Sequence, residues 1–235
     1  MMQVDETLEA WSATLMTSIP VGGLISRNSI VYKWKSTFRV WMLREVVAWR
    51  LVDLLQQSQV LYHGSHILGA RILLRSAFET LATLIYLNKQ MLRVIEGTLD
   101  FNAFGEKTSV LLLGARNNPD APKSMNIVSV LEKCDNEYPG LMAVYADLSE
   151  SAHPSYEGFM RGYSRLDHGE YETHFSNNWS ERYSDGHLNR VALCMTTFDH
   201  EYNEVWPDRM TRLEKWIEEN DEALESSRFA GEEKR

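Results

Sequence analysis

The chain has 235 residues, of which 44% are hydrophobic and 24% charged, with two cysteines and a formal net charge of −9. That length suits one domain, or one domain with a small insertion, and can bury a sizeable core. The acidic balance excludes a general nucleic-acid coat, and the absence of CxxC or Cys/His spacing excludes zinc-finger chemistry, so Cys134 and Cys194 read as reduced core thiols.

Residues 4–17 suit a short amphipathic helix with Leu8, Trp11 and Leu15 on one face. Its N-terminus is acidic, without the basic start of a signal peptide. Pro20 and Gly22-Gly23 then read as breakers, so residues 1–26 are expected to be a short helix and linker. Asn28 or Ser29 suits the cap of a helix over about 29–61, whose face runs through Trp34, Trp41, Ala48, Val52 and Leu55. After His63-Gly64-Ser65 a central helix is expected over about 65–96. Its run 67–88 is long enough to cross a bilayer, but Arg71, Arg75 and Glu79 near its middle make that costly. The expectation is a cytoplasmic protein with no membrane segment.

Further helices are expected over about 101–115, 124–136 and 141–152, the last stopping at His153 because Pro154 follows. Residues 154–179 are aromatic-rich and alternate in part around Asp167-His168-Gly169, which reads as a hairpin-like or irregular insertion. Helix returns over about 187–205, and a last helix runs to about 224, leaving 225–235 as a frayed tail. The fold class is therefore all-α, a bundle of six or seven helices forming a single domain over 27–224.

The charge is uneven. Residues 27–100 hold ten Lys/Arg against five Asp/Glu, and residues 101–235 hold fourteen against twenty-five. Within the central helix, Arg71, Arg75, Glu79 and Tyr86 fall within roughly 80° of one another at helical periodicity. Charges on a helix that is otherwise apolar must be paired or serve a site. One reading is a buried Arg–Glu network tethering neighbouring helices. The other is an anion pocket in which Glu79 orients the guanidinium groups. Tyr145, Ser149 and His153 form a second stripe of the same spacing. If the stripes face each other, all six residues (Arg71, Arg75, Glu79, Tyr145, Ser149 and His153) form one anion- or ligand-binding site, and Arg75 or Glu79 must touch the 145–153 helix. Glu150-x-x-His153 matches half of a carboxylate-bridged metal motif but has no second copy, and His63-x-x-His66 and His200/Glu204 have no evident partners. No metal and no cofactor is expected.

The pairing of RSAFE (Arg75 to Glu79) with LSESAHPS (Leu148 to Ser155) resembles uncharacterised prokaryotic helical proteins similar to the HEPN superfamily, over roughly residues 30–205. The resemblance implies a HEPN-like bundle, a homodimer, RNA or a nucleotide as partner, and a place in a defence or toxin system. Many such proteins are metal-independent endoribonucleases with an Arg and a His spaced R-x4–6-H. Two matches occur here, Arg182 to His187 and Arg161 to His168, and position favours the first as the catalytic pair. Arg182 would stabilise a phosphate oxygen and His187 would act as general acid or base. The alternative is a non-catalytic helical interaction or structural protein with a buried Arg–Glu network.

Overall fold

The computed structural model describes residues 4–232, with side chains to residue 227. Among the described residues the elements are α1 (Val4–Thr14), α2 (Val21–Arg27), α3 (Ser29–Tyr32), α4 (Lys35–His63), α5 (Ile67–Ile95), α6 (Phe101–Leu113), α7 (Ile127–Asp135), α8 (Leu141–Ala152), β1 (Ser164–Asp167), β2 (Glu172–Phe175), α9 (Trp179–Tyr183), α10 (His187–His200) and α11 (Trp206–Glu232). Two π-helical turns, Glu157–Arg161 and Glu201–Val205, complete the chain. It is mostly helical, with one small sheet, and no helix among the described residues is long and apolar enough to cross a membrane.

The chain divides into two compact units, and α4 and α5 each contribute residues to both. The first unit comprises the stretch up to Leu15, Val47–Ala82 and Ile127–Phe198. Its core is apolar helix faces: Leu51 and Leu55 of α4, Leu74, Phe78 and Leu81 of α5, Leu131 and Cys134 of α7, Leu148 of α8, and Val191, Cys194 and Met195 of α10. Leu8 of α1 is buried, and Trp11 lies 5.3 Å from Phe198 between ring centres. Gly140, at φ 100°, makes the tight entry into α8, and the Asp135 carboxylate accepts from the Gly140 and Met142 N–H groups to fix where that helix begins.

The second unit comprises Met16–Val46, Thr83–Asn126 and the stretch from Asp199 onward. Its core is aromatic: Trp41 packs edge-on against Trp206 at 4.7 Å and Trp34 against Phe101 at 5.5 Å. The Arg44 guanidinium lies 3.6 Å from the Tyr202 ring centre while ion-paired to Glu45, itself 5% exposed.

Two segments differ from the sequence expectation. Residues 21–26, expected as linker, belong to α2: the Pro20 carbonyl accepts from the Leu24 N–H, so the helix starts just after proline and runs through both glycines. At the other end α11 continues past residue 224 to Glu232, with Leu224 buried and the Ser226 and Ser227 hydroxyls bonded back to carbonyls of their own helix. Residues 233–235 of the expected tail lie outside the described residues.

The insertion at 154–179 forms a π-helical turn followed by an antiparallel hairpin in which Ser164 pairs with Phe175 and Asp167 with Glu172. The Asp167 side chain accepts from the Gly169 and Glu170 N–H groups and closes the turn. Phe175 is 82% exposed and Tyr171, at the tip, 95%.

Candidate functional site

In the first unit the two polar stripes meet. Arg75 of α5 donates from Nε to the Ser149 hydroxyl at 2.9 Å and from its terminal nitrogen to the Tyr145 hydroxyl at 2.8 Å. The same nitrogen lies 3.1 Å from the Glu79 carboxylate, and the Tyr145 hydroxyl donates to that carboxylate at 3.0 Å. One turn earlier, Arg71 is 1% exposed. Its Nε donates to the Ser151 hydroxyl at 2.7 Å, and its terminal nitrogen donates to the Asp147 backbone carbonyl and carboxylate, each at 3.0 Å. Arg190 of α10 reaches the same Asp147 carboxylate at 2.9 Å.

The geometry is a clamp. Leu141, Tyr145, Leu148 and Ser151 define the buried face of α8. Ser149 and Asp147 sit on its two flanks, roughly 160° apart at helical periodicity. Arg75 grips one flank and Arg71 the other. Each guanidinium is a planar fork, which lets one side chain hold a hydroxyl and a second acceptor together. Sequence periodicity finds the Arg75 half, because Tyr145 and Ser149 share a stripe. Asp147 and Ser151, also four apart, are the partners it misses, since they lie on the opposite flank.

His153, Arg182 and His187 make no hydrogen bond to this network among the described residues. His153 is exposed at the C-terminal cap of α8, and its imidazole makes no hydrogen bond among the described residues. Tyr86 is buried and belongs to the second unit. Arg182 is exposed on α9, while His187, at the start of α10, is 0% exposed. The His187 ring stacks on Tyr62 with 4.9 Å between centres and 12° between planes, and its Nε2 lies 3.4 Å from the Ser58 hydroxyl. Its Nδ1 has no hydrogen-bond partner among the described residues. The signal for this burial is in the sequence: His187, Val191, Cys194 and Phe198 are spaced by four, three and four, an apolar helix face with histidine as its first member. In the other R-x4–6-H match, Arg161 pairs with Glu157 at 2.7 Å, and His168 lies exposed in the hairpin turn.

A cavity of about 190 Å³ lies beside Arg71, lined also by Asp147, Glu150, Glu157, Arg161 and Tyr183. Its charges are mixed rather than cationic. The Tyr183 hydroxyl donates a short hydrogen bond to Glu157. Burial works to raise the Glu157 pKa, but the hydrogen bonds from Tyr183 and Arg161 and the nearby guanidinium charges outweigh it and hold the carboxyl below its ordinary value. Among the described residues no group of three or more His, Cys, Asp or Glu side chains is placed to hold a metal ion.

Burial, reinforced by the positive charges of Arg71 and Arg190, pushes the His187 pKa down to about 4. An unfolded chain protonates this histidine near pH 6.5, so its neutral form contributes stability above that pH, and the contribution is lost as pH falls towards 4. About 3 kcal/mol of stability is expected to disappear from this source between pH 7 and pH 4. Urea unfolding across that range checks it: His187→Leu should flatten the profile, whereas an unchanged profile would remove His187 as its cause.

Compared with known proteins, the chain matches no family model, no curated protein and no solved structure.

Proposed function

We propose that this protein is a HEPN-like, non-catalytic helical interaction module. In this reading the arginine stripe is its ion-paired hub, and it associates with a second copy of itself through the edge of β2. One observation carries the reading: the hairpin exposes the edge of β2, which no other strand covers among the described residues.

Ser176 donates its N–H to the Tyr163 carbonyl at 3.0 Å. By strand alternation, Glu172 and His174 therefore turn their backbone groups towards β1, and Thr173 and Phe175 turn theirs outward. All four β2 residues are exposed, and no second strand covers that edge among the described residues. Antiparallel pairing of two copies about a twofold axis at Thr173 sets threonine against threonine. It also sets Glu172 of each copy against His174 of the other. A threonine pair is a favourable cross-strand combination. On the hairpin itself Leu166, Tyr171 and Phe175 leave large apolar side chains exposed. A lone hairpin with one uncovered apolar face is marginal, and pairing supplies the missing strands.

The ribonuclease reading is disfavoured by His187, which has no accessible surface for a substrate to meet. Sedimentation equilibrium over the micromolar range should show a dimer that Thr173→Pro converts to monomer, since proline removes an outward donor. Thr173→Cys should cross-link the two copies on mild oxidation, because facing hydrogen-bonded residues lie at about 5.5 Å between Cα atoms, within disulfide reach. Leu166→Cys on β1 should not. Labelled RNA incubated in EDTA should show the same background with wild type, Arg182→Ala and His187→Ala. A monomeric wild type would overturn the association, and cleavage lost in both variants would restore the catalytic reading.

A further inference from the structure

The second unit holds a different kind of site. The chain turns sharply between α3 and α4, and α4, 29 residues long, starts at Lys35. A cavity of about 320 Å³ opens at that start, walled by Trp34 and Phe101 and lined by Lys33, Lys35, Ser36 and Arg39. That is the size range of small-ligand pockets.

Four features of this cavity point to one ligand chemistry. First, the backbone N–H groups of Lys35 and Ser36 take no acceptor among the described residues, whereas the Thr37 N–H is already bonded to the Trp34 carbonyl. Free N–H groups at the start of a long helix, together with the helix dipole, bind anions. Second, Ser36 is only 5% exposed, lines the cavity, and its hydroxyl makes no hydrogen bond to any described residue. A hydroxyl held on a cavity wall with no protein partner is free to donate to a ligand there. Third, among the described residues Lys35 has no carboxylate partner, and Arg39 spends one nitrogen on the Gly105 carbonyl at 3.2 Å and also has none. Lys33, by contrast, is held by Asp221 and Glu225, each at 2.7 Å, so it contributes little free charge. Fourth, the two aromatic rings give the cavity an apolar wall beside the cations.

Among the described residues the only carboxylate lining the cavity is the exposed Glu106 of α6. Helix start, free hydroxyl, ammonium and guanidinium therefore all present donors to one space, and none of them is neutralised internally. Inorganic phosphate would fill the donor set but leave the aromatic wall unused.

We propose that this cavity binds a small organic phosphate. The phosphate would accept from the Lys35 and Ser36 N–H groups and the Ser36 hydroxyl, with Lys35 and Arg39 as counter-charges, and the organic part would lie against Trp34 and Phe101. The site is independent of the β2 edge, so failure of either reading leaves the other standing.

The test uses the full chain and three probes at matched ionic strength: phenyl phosphate, inorganic phosphate and benzoate. Binding is read by calorimetry and by amide chemical shifts. Phenyl phosphate should bind at least tenfold more tightly than inorganic phosphate, and both should move the Lys35 and Ser36 amide signals. Ser36→Ala and Arg39→Gln should each weaken phenyl phosphate binding by about tenfold or more. Arg75→Gln should leave it unchanged. Ser36→Ala removes no internal hydrogen bond, so its melting temperature should stay near wild type and separate a binding loss from a folding loss. Unmoved Lys35 and Ser36 amides, wild-type affinity in both cavity variants, or benzoate binding as tightly as phenyl phosphate would each overturn the proposal.

Discussion

Replacing Arg71 with alanine is expected to cost about 3 kcal/mol of stability, and replacing Arg75 about 1 kcal/mol, although the two arginines sit one turn apart on the same helix. The difference follows from burial. Arg71 is 1% exposed, and its removal strands the Ser151 hydroxyl against an empty space the size of a guanidinium, while the Asp147 carbonyl keeps its bond within α8. Unsatisfied buried polar atoms and a residual cavity both count against the folded state. Asp147 itself is spared the worst, because it is 43% exposed and keeps Arg190. Arg75 and Glu79 are each 25% exposed, so water replaces much of what Arg75→Ala removes. Arg71→Lys should recover less than half of the loss, since one ammonium cannot hold two acceptors in the geometry of a guanidinium fork. Thermal unfolding followed by circular dichroism measures all three variants. Equal losses at the two arginines would mean that the Arg71 flank of the clamp is not formed in solution.

That clamp also marks how far the sequence could be read. The stripe on α5 was legible because an apolar helix makes any charge conspicuous, and four-residue spacing then fixes its face. Tyr145 and Ser149 were legible for the same reason. Asp147 and Ser151 were not, because a periodicity argument selects one face of a helix, whereas an arginine side chain is long enough to reach round to another. The hairpin was legible from partial alternation and from Asp167, whose side chain closes the turn. Helix α2 was not, because two glycines lower helix propensity without forbidding a helix that starts just after a proline. The Arg182/His187 expectation came from a resemblance, its R-x4–6-H spacing and the pair's position before a late helix, none of which carries information about burial. The apolar run that follows His187 in α10 carries that information. The cavity at the start of α4 was hidden for another reason: its parts come from residues 33–39 and 101–106, which no local pattern connects.

Gly158→Ala is expected to be the most damaging single-methyl change in the first unit, costing about 3 kcal/mol. The requirement for glycine here is space and not conformation, since Gly158 is absent from the positive-φ glycines Gly97, Gly140 and Gly186. A Cβ at residue 158 would lie 2.2 Å from the His153 carbonyl oxygen, far inside any real contact. That oxygen cannot easily retreat. The His153 N–H is bonded to the Ser149 carbonyl at 3.2 Å, and its own carbonyl accepts from the Ser155 N–H at 2.8 Å. The Ser155 hydroxyl in turn bonds the Glu150 carbonyl and receives the Gly158 N–H. The π-helical turn must therefore open instead. Opening it would carry away Glu157 and Arg161, two residues that line the cavity beside Arg71, and would break the Tyr183–Glu157 hydrogen bond. The damage should thus appear twice: as a lowered melting temperature, and as shifted aromatic resonances of Tyr183 and Trp179 in the nuclear magnetic resonance spectrum. Gly22→Ala is the matched control. Nothing lies within 4 Å of a Cβ at that helical position, and the change should stabilise the protein slightly, by about 0.5 kcal/mol. A Gly158→Ala protein as stable as wild type, with the Tyr183 resonances in place, would show that the π-helical turn has room that its packing denies.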